Sequence, residues 1–348
     1  MQNHDKYIKR CHELAINGLG FVAPNPMVGC VIVKGGEIIS EGWHKKYGEA
    51  HAEVNAIKNL PDNFDYSDCE LYLNLEPCSH HGKTPPCSDL IIDKKIKKVI
   101  IGNLDTNPLV AGKGIEKLKK AGIEVVAGVL EKEGRDLNKR FFTFHEKKRP
   151  YIILKWAQTA NGFISRWPLS DIKEDNWITC HQSKLLVHEW RSHEQAIMIG
   201  TNTAINDNPE LTVRHVKGNN PIRIVIDRQL KLDNGLNVFN SDAKTIVVSE
   251  KEKENNNNIS YLTLDKAHFT VKNIFESLAK QNISSVFVEG GALLLDSIIK
   301  SGLWDEARVF VNPDLEFKNG IAAPEFDLSK GVQSNSGTDL LFSFTNNS

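Results

Sequence analysis

The stretch that decides the fold of the first half is Leu75-Glu76-Pro77-Cys78-Ser79-His80-His81-Gly82-Lys83-Thr84-Pro85-Pro86-Cys87, together with His51-Ala52-Glu53. A catalytic zinc ion takes about three protein ligands through nitrogen or sulfur and keeps one position for water. One histidine and two cysteines supply such a set. We therefore predict that His51, Cys78 and Cys87 bind Zn²⁺.

Glu53 is the candidate proton carrier of this site. It lies two residues after His51, just inside a predicted helix, beside the metal but not bound to it. Zinc lowers the pKa of a bound water to about 7, and hydrolysis of a ring amine then needs a carboxylate that moves protons to the ring nitrogen and the leaving ammonia. A His-x-Glu motif followed by Pro-Cys-x-x-Cys is the signature of zinc deaminases of nucleobases.

The spacing of the cysteines departs from that signature. Eight residues, Ser79 to Pro86, separate Cys78 from Cys87. The insert is polar and partly basic, so it could reach over the site and hold an anionic part of a substrate. An alternative stays open, because His80 or His81 could be a fourth ligand and make the zinc site purely structural.

Length and composition limit the class of protein. A chain of 348 residues predicts two domains. The net charge of -1 lacks the basic excess of most nucleic-acid binders, although it leaves room for a local basic patch. No apolar run long enough for a membrane span and no signal peptide are visible, so we expect a cytoplasmic protein. Six cysteines in such a chain are more typical of metal ligands than of a disulfide framework.

The pattern of elements predicts two α/β domains. Predicted helices alternate with short apolar strands in the first part of the chain, which is typical of a layered α/β domain. The pattern changes from Glu131 to Pro150 and ends in the charged run Glu146-Lys147-Lys148-Arg149-Pro150. We place the boundary there, between domains of residues 1–147 and 148–348; alternatively, these charges mark only a solvated helix end. The alternation then restarts, and the polar stretch 251–258 predicts a surface loop.

The most informative local feature of the second half is Ser285-Val286-Phe287-Val288-Glu289-Gly290-Gly291-Ala292-Leu293-Leu294. A predicted strand leads into two glycines and then a helix, which places free backbone N–H groups where a phosphate could bind. The stretch is not the Gly-x-Gly-x-x-Gly fingerprint, and a glycine pair alone often marks only a tight turn.

At these residues the chain resembles the bifunctional riboflavin-biosynthesis deaminase-reductase family, whose own cysteine spacing includes the long insert. The N-terminal motifs that carry the resemblance are 75–87, His51-Ala52-Glu53, Ala23-Pro24-Asn25-Pro26-Met27-Val28-Gly29-Cys30, Asp105-Thr106-Asn107-Pro108 and Gly112-Lys113-Gly114. The C-terminal motifs are 155–162, Trp177-Ile178-Thr179, Arg191-Ser192-His193, Gly200-Thr201-Asn202-Thr203, 207–214 and Val288-Glu289-Gly290-Gly291.

The resemblance implies a cytidine-deaminase-like α/β/α domain followed by a dihydrofolate-reductase-like α/β domain. It implies zinc-dependent hydrolysis of the 2-amino group of 2,5-diamino-6-(5-phosphoribosylamino)pyrimidin-4-one. NADPH-dependent reduction of the ribosyl group of the product to ribityl would follow. The expected partner is this small molecule, with neither nucleic acid nor membrane, and the chain could form a homo-oligomer.

The resemblance also implies three groups of contact residues beyond the zinc ligands and Glu53. The first substrate would contact Asn25, His44, Lys83, Thr84, Asp105 and Asn107. NADPH would contact Ala157, Trp177, Thr203, Gly290, Gly291, Ala292, Leu293, Leu294 and Leu295. The ribose phosphate of the second substrate would contact Asp175, Arg191, Asp207, Leu211, Arg214 and Glu289.

Two departures from the family pattern lie in the second half. Ala160-Asn161-Gly162 stands where the family usually has Leu-Asp-Gly, and the loop 165–176 is longer and carries Asp175 where serine is usual. A carboxylate beside a phosphate would be repulsive. Three other functions therefore stay open at this point: a deaminase of another nucleobase or of nucleic acid with an appended binding domain, a zinc-stabilised interaction protein, and an enzyme with only one active half.

Overall fold

A computed structural model describes residues 4–79, 85–107 and 111–346 of the chain. Its internal contacts divide the chain into two compact units, residues 1–148 and 149–348. The division falls one residue after the boundary that the charged run predicts. Each unit has its own sheet and its own hydrophobic core.

The first unit is built on a five-stranded sheet in the order β2-β1-β3-β4-β5. β1 pairs antiparallel with β2 and β3, whereas β3, β4 and β5 are parallel. The strands are β1 (Gly29–Lys34), β2 (Glu37–Trp43), β3 (Cys69–Leu75), β4 (Lys98–Asn103) and β5 (Glu124–Ala127). The helices are α1 (His4–Ala15), α2 (Ala52–Lys58), α3 (Cys87–Asp93), α4 (Lys113–Lys120), α5 (Glu131–Leu137) and α6 (Lys139–Lys147).

Alternating side chains of the strands form two apolar layers, one on each face of this sheet. Cys30 and Ile32 of β1 pack with residues of α2, α3 and α4 on one face. Val31 and Val33 pack with α1 on the other face. This alternation follows from the two-residue period of a strand, and it produces the α/β/α layers.

The second unit is built on a nine-stranded sheet in the order β11-β10-β9-β8-β12-β6-β13-β16-β15. Its pairs from β11 to β13 are parallel, and β16 and β15 add antiparallel strands at one edge. The nine strands are β6 (Tyr151–Thr159), β8 (Ala196–Gly200), β9 (Ile222–Ile226), β10 (Thr245–Ser249), β11 (Ile259–Thr263), β12 (Ser285–Val288), β13 (Glu306–Asn312), β15 (Val332–Ser336) and β16 (Asp339–Thr345). Two further strands, β7 (Phe163–Arg166) and β14 (Gly320–Ala322), pair antiparallel with each other in a separate sheet. The helices are α7 (His181–His193), α8 (Thr201–Asp207), α9 (Val271–Lys280) and α10 (Ala292–Ser301).

Helices cover both faces of the large sheet, as expected for parallel strands whose two faces are buried. Phe275 of α9 and Leu295 of α10 lie in the apolar core of one face. Val187 of α7 and Ala204 of α8 lie in that of the other. None of the described helices combines the length and apolar character that crossing a membrane requires.

Several elements lie where the sequence pattern predicted none. α5 and α6 occupy the segment 131–150, in which the sequence shows only a change of pattern. β14, β15 and β16 follow residues 307–311, the last stretch whose apolar pattern predicts a strand. Edge strands such as β15 are mostly exposed, so they lack the apolar signal on which strand prediction depends. The surface loop predicted over 251–258 is confirmed, because that stretch forms neither helix nor strand and is almost entirely exposed.

The charged run at the boundary is exposed at its first residues and buried at Arg149. Glu146, Lys147 and Lys148 are exposed at the end of α6, as the alternative interpretation expected. Arg149 is buried instead, and its guanidinium makes two hydrogen bonds to the carboxylate of Asp305, at 2.6 and 2.9 Å. The second unit therefore begins with a buried ion pair.

Candidate active sites

The predicted zinc ligands converge at one point of the first unit. The candidate ligand atoms of His51, Cys78 and Cys87 all lie within 4.8 Å of one another. His51 Nδ1 is 3.7 Å from Cys78 Sγ and 3.4 Å from Cys87 Sγ. One imidazole nitrogen and two thiol sulfurs at this separation fit the donor set of a zinc ion.

Two close backbone contacts position these ligands. His51 immediately precedes α2, and α2 lies so close to β2 that a Cβ on Gly42 would collide with the backbone of Ala52 and Ala56. Cys87 is the first residue of α3, and its backbone N–H donates to Cys78 Sγ at 3.3 Å. Only glycine permits the approach of α2 to β2.

Glu53 lies in the first turn of α2 and is 97% buried. Burial raises the pKa of its carboxyl, and the neighbouring Cys78 sulfur raises it further. A raised pKa makes the carboxylate a stronger base, which favours uptake of a proton from water and its transfer to a ring. The hydrogen bond from Cys87 lowers the pKa of the Cys78 thiol and raises that of Cys87.

Asn25 and His44, which the resemblance assigns to the first substrate, lie beside the zinc ligand His51. The His44 ring packs edge-on against the His51 ring, with centroids 5.2 Å apart. His44 Nδ1 lies 3.1 Å from the Ala50 carbonyl oxygen, and His44 Nε2 lies 3.3 Å from Asn25 Nδ2. Burial lowers the pKa of His44, so the ring is neutral at neutral pH.

Two buried amides that the sequence did not single out hold the segment that carries Asn25. Asn74 and Asn138 both donate to the Met27 carbonyl, at 3.0 and 2.9 Å. The Met27 N–H donates to Asn138 Oδ1, and the Gly29 N–H donates to Asn74 Oδ1, both at 2.8 Å. This loop is therefore fixed by side chains rather than by a sheet ladder.

Asp105 lies near the zinc site on a loop that Glu76 organises. Burial, together with the negative charges of Glu76 and Cys78, raises the pKa of Asp105 to about 7, against the opposing effect of the hydrogen bond from the Asn107 N–H. The Asn107 N–H donates to Asp105 Oδ1 at 2.6 Å, and the Asp105 N–H donates to Glu76 Oε2 at 3.1 Å. Lys83 and Thr84, with His80 and His81, lie outside the described residues.

Glu76, like Asn74 and Asn138, is a supporting residue of this half that the sequence interpretation missed. Besides Asp105, its carboxylate accepts from the N–H groups of Gly112, Gly114 and Ile115 at 2.9–3.1 Å. Three of these four donors lie at the start of α4, where backbone N–H groups lack helical partners. The position of this glutamate directly after the buried strand β3 is the sequence feature that could have indicated its role.

The second unit contains a cavity of about 980 Å³ at the carboxyl ends of β8, β9 and β12. Ligands of open parallel sheets bind at this edge. Most residues that the resemblance assigned to NADPH and the second substrate line it, namely Ala157, Trp177, Arg191, Thr203, Asp207, Arg214, Glu289, Gly290, Gly291, Ala292, Leu293, Leu294 and Leu295.

The turn from β12 into α10 forms a close-fitting part of this wall. Gly290 has φ of +113°, and a Cβ on Gly291 would lie 2.9 Å from Thr203 Oγ1. The Gly290 carbonyl accepts from the Gly200 N–H at 3.0 Å, which joins this turn to the end of β8. A backbone without side chains at the start of a ten-residue helix fits the pyrophosphate of a nicotinamide dinucleotide.

Arg191 and Glu289 form a buried, bidentate ion pair in the cavity wall. Arg191 Nε and Nη2 donate to the two carboxylate oxygens of Glu289 at 2.6 and 2.8 Å. Burial alone would raise the pKa of Glu289, but the positive charge of Arg191 lowers it to about 2. Glu289 is therefore ionised, and it orients the guanidinium toward the cavity.

Comparison with known proteins identifies the family. Residues 1–103 match the cytidine and deoxycytidylate deaminase zinc-binding region, and residues 150–315 match the RibD C-terminal domain. Riboflavin biosynthesis protein RibD of Aquifex aeolicus is 42% identical over 314 residues, covering 89% of this chain and 86% of that protein. The chain belongs to the RibD family. The Escherichia coli RibD is 35% identical over 326 residues, covering 89% of this chain and 87% of that protein.

A solved structure of a RibD relative agrees with the fold. The Thermotoga maritima diaminohydroxyphosphoribosylaminopyrimidine deaminase/5-amino-6-(5-phosphoribosylamino)uracil reductase superposes with a TM-score of 0.86 at 37% identity, covering 99% of this chain and 98% of that one. The predicted fold class, a deaminase domain followed by a dihydrofolate-reductase-like domain, is confirmed. The chain is a bifunctional deaminase and reductase of riboflavin biosynthesis, which decides against an interaction protein without catalysis. The family points to zinc in the first half and a nicotinamide cofactor in the second.

The departure from the RibD pattern at Asn161 has a structural explanation. Asn161 Nδ2 donates to the Phe317 carbonyl at 2.9 Å, and its Oδ1 accepts from the Phe317 N–H at 3.3 Å and the Thr159 hydroxyl at 2.7 Å. An ionised aspartate could not donate to that carbonyl. Asn161 therefore closes the turn between β6 and β7.

Two residues implied by the resemblance to RibD do not line the cavity. Asp175 accepts a hydrogen bond from Ser170 Oγ at 3.1 Å and lies 3.9 Å from the Arg166 guanidinium, so its carboxylate is engaged within its own loop. Leu211 is buried in the apolar core with Val187. Their contact with substrate stays a prediction.

Four cationic or histidine side chains line the cavity although the sequence interpretation did not assign them. Lys155 stands within the otherwise apolar run 151–156, and burial lowers the pKa of its ammonium. Lys184 and His188 precede Arg191 by seven and three residues on α7, a spacing that places all three on one helix face. Arg228 follows β9.

Proposed function

We propose that the first half deaminates 2,5-diamino-6-(5-phosphoribosylamino)pyrimidin-4-one and that the second half reduces the ribosyl group of its product with NADPH. The observation that carries the proposal is the buried Glu53 carboxyl beside three convergent zinc ligands. The name of the Thermotoga maritima relative supplies the two substrates. The cavity in the second unit, lined by Arg191 and Arg214, suits a phosphorylated substrate.

In the deaminase half, His51, Cys78 and Cys87 would hold Zn²⁺. Zinc, when bound, supplies a Lewis acid that makes a water molecule nucleophilic at neutral pH. Glu53 would take a proton from the attacking water and pass it to the ring nitrogen. It would then take the proton of the new hydroxyl on the ring carbon and pass it to the departing amine, which leaves as ammonia. Its burial favours this role, because the raised pKa of its carboxyl brings proton uptake and release closer to neutral pH.

The substrate ring would contact Asn25, His44, Asp105 and Asn107 near the zinc ligands. The Asn25 amide offers both a donor and an acceptor to a heterocycle. Asp105, whose pKa is raised to about 7, can be protonated near neutral pH and can then donate a hydrogen bond. Lys83 and Thr84 of the insert are proposed to contact the same substrate on the family resemblance alone.

In the reductase half, the turn of Gly290 and Gly291 with Thr203 would hold the dinucleotide, and Arg191 and Arg214 the phosphate of the substrate. The nicotinamide supplies the hydride, while the protein positions the ribosyl carbon against it. Asp207, Ala157 and Trp177 line the same cavity.

Arg228 supports NADPH over NADH. Its guanidinium lies 5.1 Å from the centre of the Phe269 ring, and both side chains line the cavity. Arg228 Nε also donates to Glu250 Oε1 at 2.6 Å, which holds the guanidinium in one orientation. A fixed, half-exposed guanidinium suits the 2′-phosphate that distinguishes NADPH.

The substitution Glu53→Gln tests the proposal. We expect ammonia release to fall by about 10²- to 10⁴-fold, because the amide cannot carry protons, whereas zinc binding and reduction of the pre-formed deaminated compound persist. Ammonia release and NADPH oxidation are measured separately. The control is Glu116→Gln, at an exposed glutamate that pairs with Lys120. Ammonia release near the wild-type rate would show that Glu53 is not the proton carrier.

Three further expectations stay predictions. They are the domain limits 1–147 and 148–348, a cytoplasmic location, and assembly as a homo-oligomer.

A further inference from the structure

The α7 side of the reductase cavity carries a histidine to which no function has been assigned. His188 is 97% buried, yet it lines the cavity between Lys184 and Arg191 of the same helix. The spacing of these residues along α7 places one donor group on each of three successive turns.

The hydrogen bonding of His188 determines which ring nitrogen carries the proton. The Arg214 backbone N–H donates to His188 Nδ1 at 3.2 Å, so Nδ1 is the acceptor and the neutral ring carries its proton on Nε2. Within the part of the chain that the structure describes, no group accepts a hydrogen bond from Nε2. Nε2 is not among the fully buried polar atoms that lack a partner, so it is accessible to a ligand that enters the cavity.

The surroundings of His188 are cationic but leave the ring itself neutral. Burial, and then the positive charge of Arg191, His215 and Arg214, lower the pKa of His188 to about 4, against the opposing effect of Glu289. The ring therefore offers a donor without adding charge. His215 packs edge-on against it, with centroids 4.6 Å apart.

The remaining charges around the ring favour an anion. Arg191 is paired with Glu289, and Arg214 with Glu210 at 2.6 Å. Lys184 lies 3.8 Å from the centre of the Trp177 ring and has no carboxylate partner among the residues described. A phosphate dianion bound between Arg191, Arg214 and Lys184 would therefore lie in a net positive environment with several fixed hydrogen-bond donors.

We propose that His188 binds the phosphate group of the reductase substrate, donating from Nε2–H, while its Nδ1 holds the backbone of Arg214. The inference rests on the proposed function, because it takes the reductase substrate to be a phosphate monoester. On this proposal the two ring nitrogens of His188 have different roles: Nε2 binds the phosphate and Nδ1 holds the Arg214 backbone.

Two substitutions separate these tasks. In His188→Asn the amide lies near the position of Nδ1, so the acceptor for Arg214 is kept and the donor at Nε2 is lost. In His188→Gln the amide reaches the position of Nε2, so the donor is kept and the acceptor is lost. The KM of NADPH-dependent reduction is measured for the phosphorylated compound and for its dephosphorylated counterpart.

We expect His188→Asn to raise the KM for the phosphorylated compound by roughly 10- to 100-fold, the usual worth of a hydrogen bond to a charged group, and to leave the KM for the dephosphorylated one nearly unchanged. His188→Gln keeps most of the preference for phosphate. The matched control is His268→Asn, at an exposed histidine of the same unit that pairs with Asp265. An unchanged KM for NADPH in the same preparation verifies that the second unit of the variant is intact.

An equal rise of both KM values in His188→Asn, or greater damage from His188→Gln, would assign His188 only to holding Arg214 and overturn the proposal. A wild-type chain that reduces neither compound would instead refute the proposed function.

A measurement on the wild type does not depend on the folding of variants: addition of inorganic phosphate should shift the His188 Nε2–H resonance in a ¹H–¹⁵N spectrum. An unmoved resonance at saturating phosphate also overturns the proposal.

Discussion

At the scale of single residues, several side chains contribute by holding backbone rather than by touching substrate. Glu76 collects four backbone N–H groups, and Asn161 pairs with both polar groups of the Phe317 backbone. Each buried N–H that such a side chain satisfies avoids a penalty of about 1–3 kcal/mol. Residues of this kind define the positions of Asp105 and of the β6–β7 turn, although they carry no chemistry.

Coenzyme preference is a prediction at the same scale. Replacing Arg228 by alanine removes the guanidinium proposed to contact the 2′-phosphate, so we expect the KM for NADPH to rise by roughly 10- to 100-fold while the KM for NADH stays nearly constant. Initial rates of reduction with each coenzyme measure the ratio. The control is Arg135→Ala, which removes an exposed ion pair between Arg135 and Glu146 in the other unit. A proportional loss with both coenzymes would contradict the assignment.

At the scale of elements, the deaminase site depends on how closely α2 approaches β2. Gly42 is the contact point, because its missing side chain lets the backbone of Ala52 and Ala56 lie directly on the strand. The same helix carries Glu53 and begins directly after His51. A shift of α2 therefore moves a metal ligand and the proton carrier together.

Gly42→Ala is expected to destabilise the first unit by more than about 2 kcal/mol and to weaken zinc binding, because the added methyl meets backbone that cannot move aside. The control variant Gly122→Ala separates the effect of collision with neighbouring backbone from the effect of a strained backbone conformation. Gly122 has φ of +83° with open space around it, so its substitution costs about 1 kcal/mol and leaves zinc binding intact. Denaturant unfolding and metal content measure both effects. Equal zinc affinity in the two variants would rule out the packing explanation.

At the scale of the whole molecule, the chain contains two units with separate cores and separate sites. The zinc ligands all lie within the first unit, and the residues that line the 980 Å³ cavity all lie within the second. Each activity should therefore respond to perturbation of its own unit.

Removal of metal tests this independence. Dialysis against a chelator is expected to abolish ammonia release, whereas NADPH oxidation with the deaminated compound stays at its original rate. Addition of Zn²⁺ should restore the first activity, because His51, Cys78 and Cys87 are free to bind again. Persistent deamination by protein shown to be free of metal would contradict the zinc assignment, and a parallel loss of reduction would contradict independence.

The sequence by itself determined the family, the two α/β halves, and the convergence of His51, Cys78 and Cys87, because ligand type and spacing are local properties of the chain. Only the tertiary structure revealed Glu76, Asn74 and Asn138 as supports, and His188 and Arg228 as cavity residues. Their roles depend on which distant backbone groups and charges surround them. It also showed Asp175 paired within its own loop and Leu211 buried in the core. Burial and hydrogen-bond partners arise when strands distant in sequence become neighbours, and no short stretch of sequence records them.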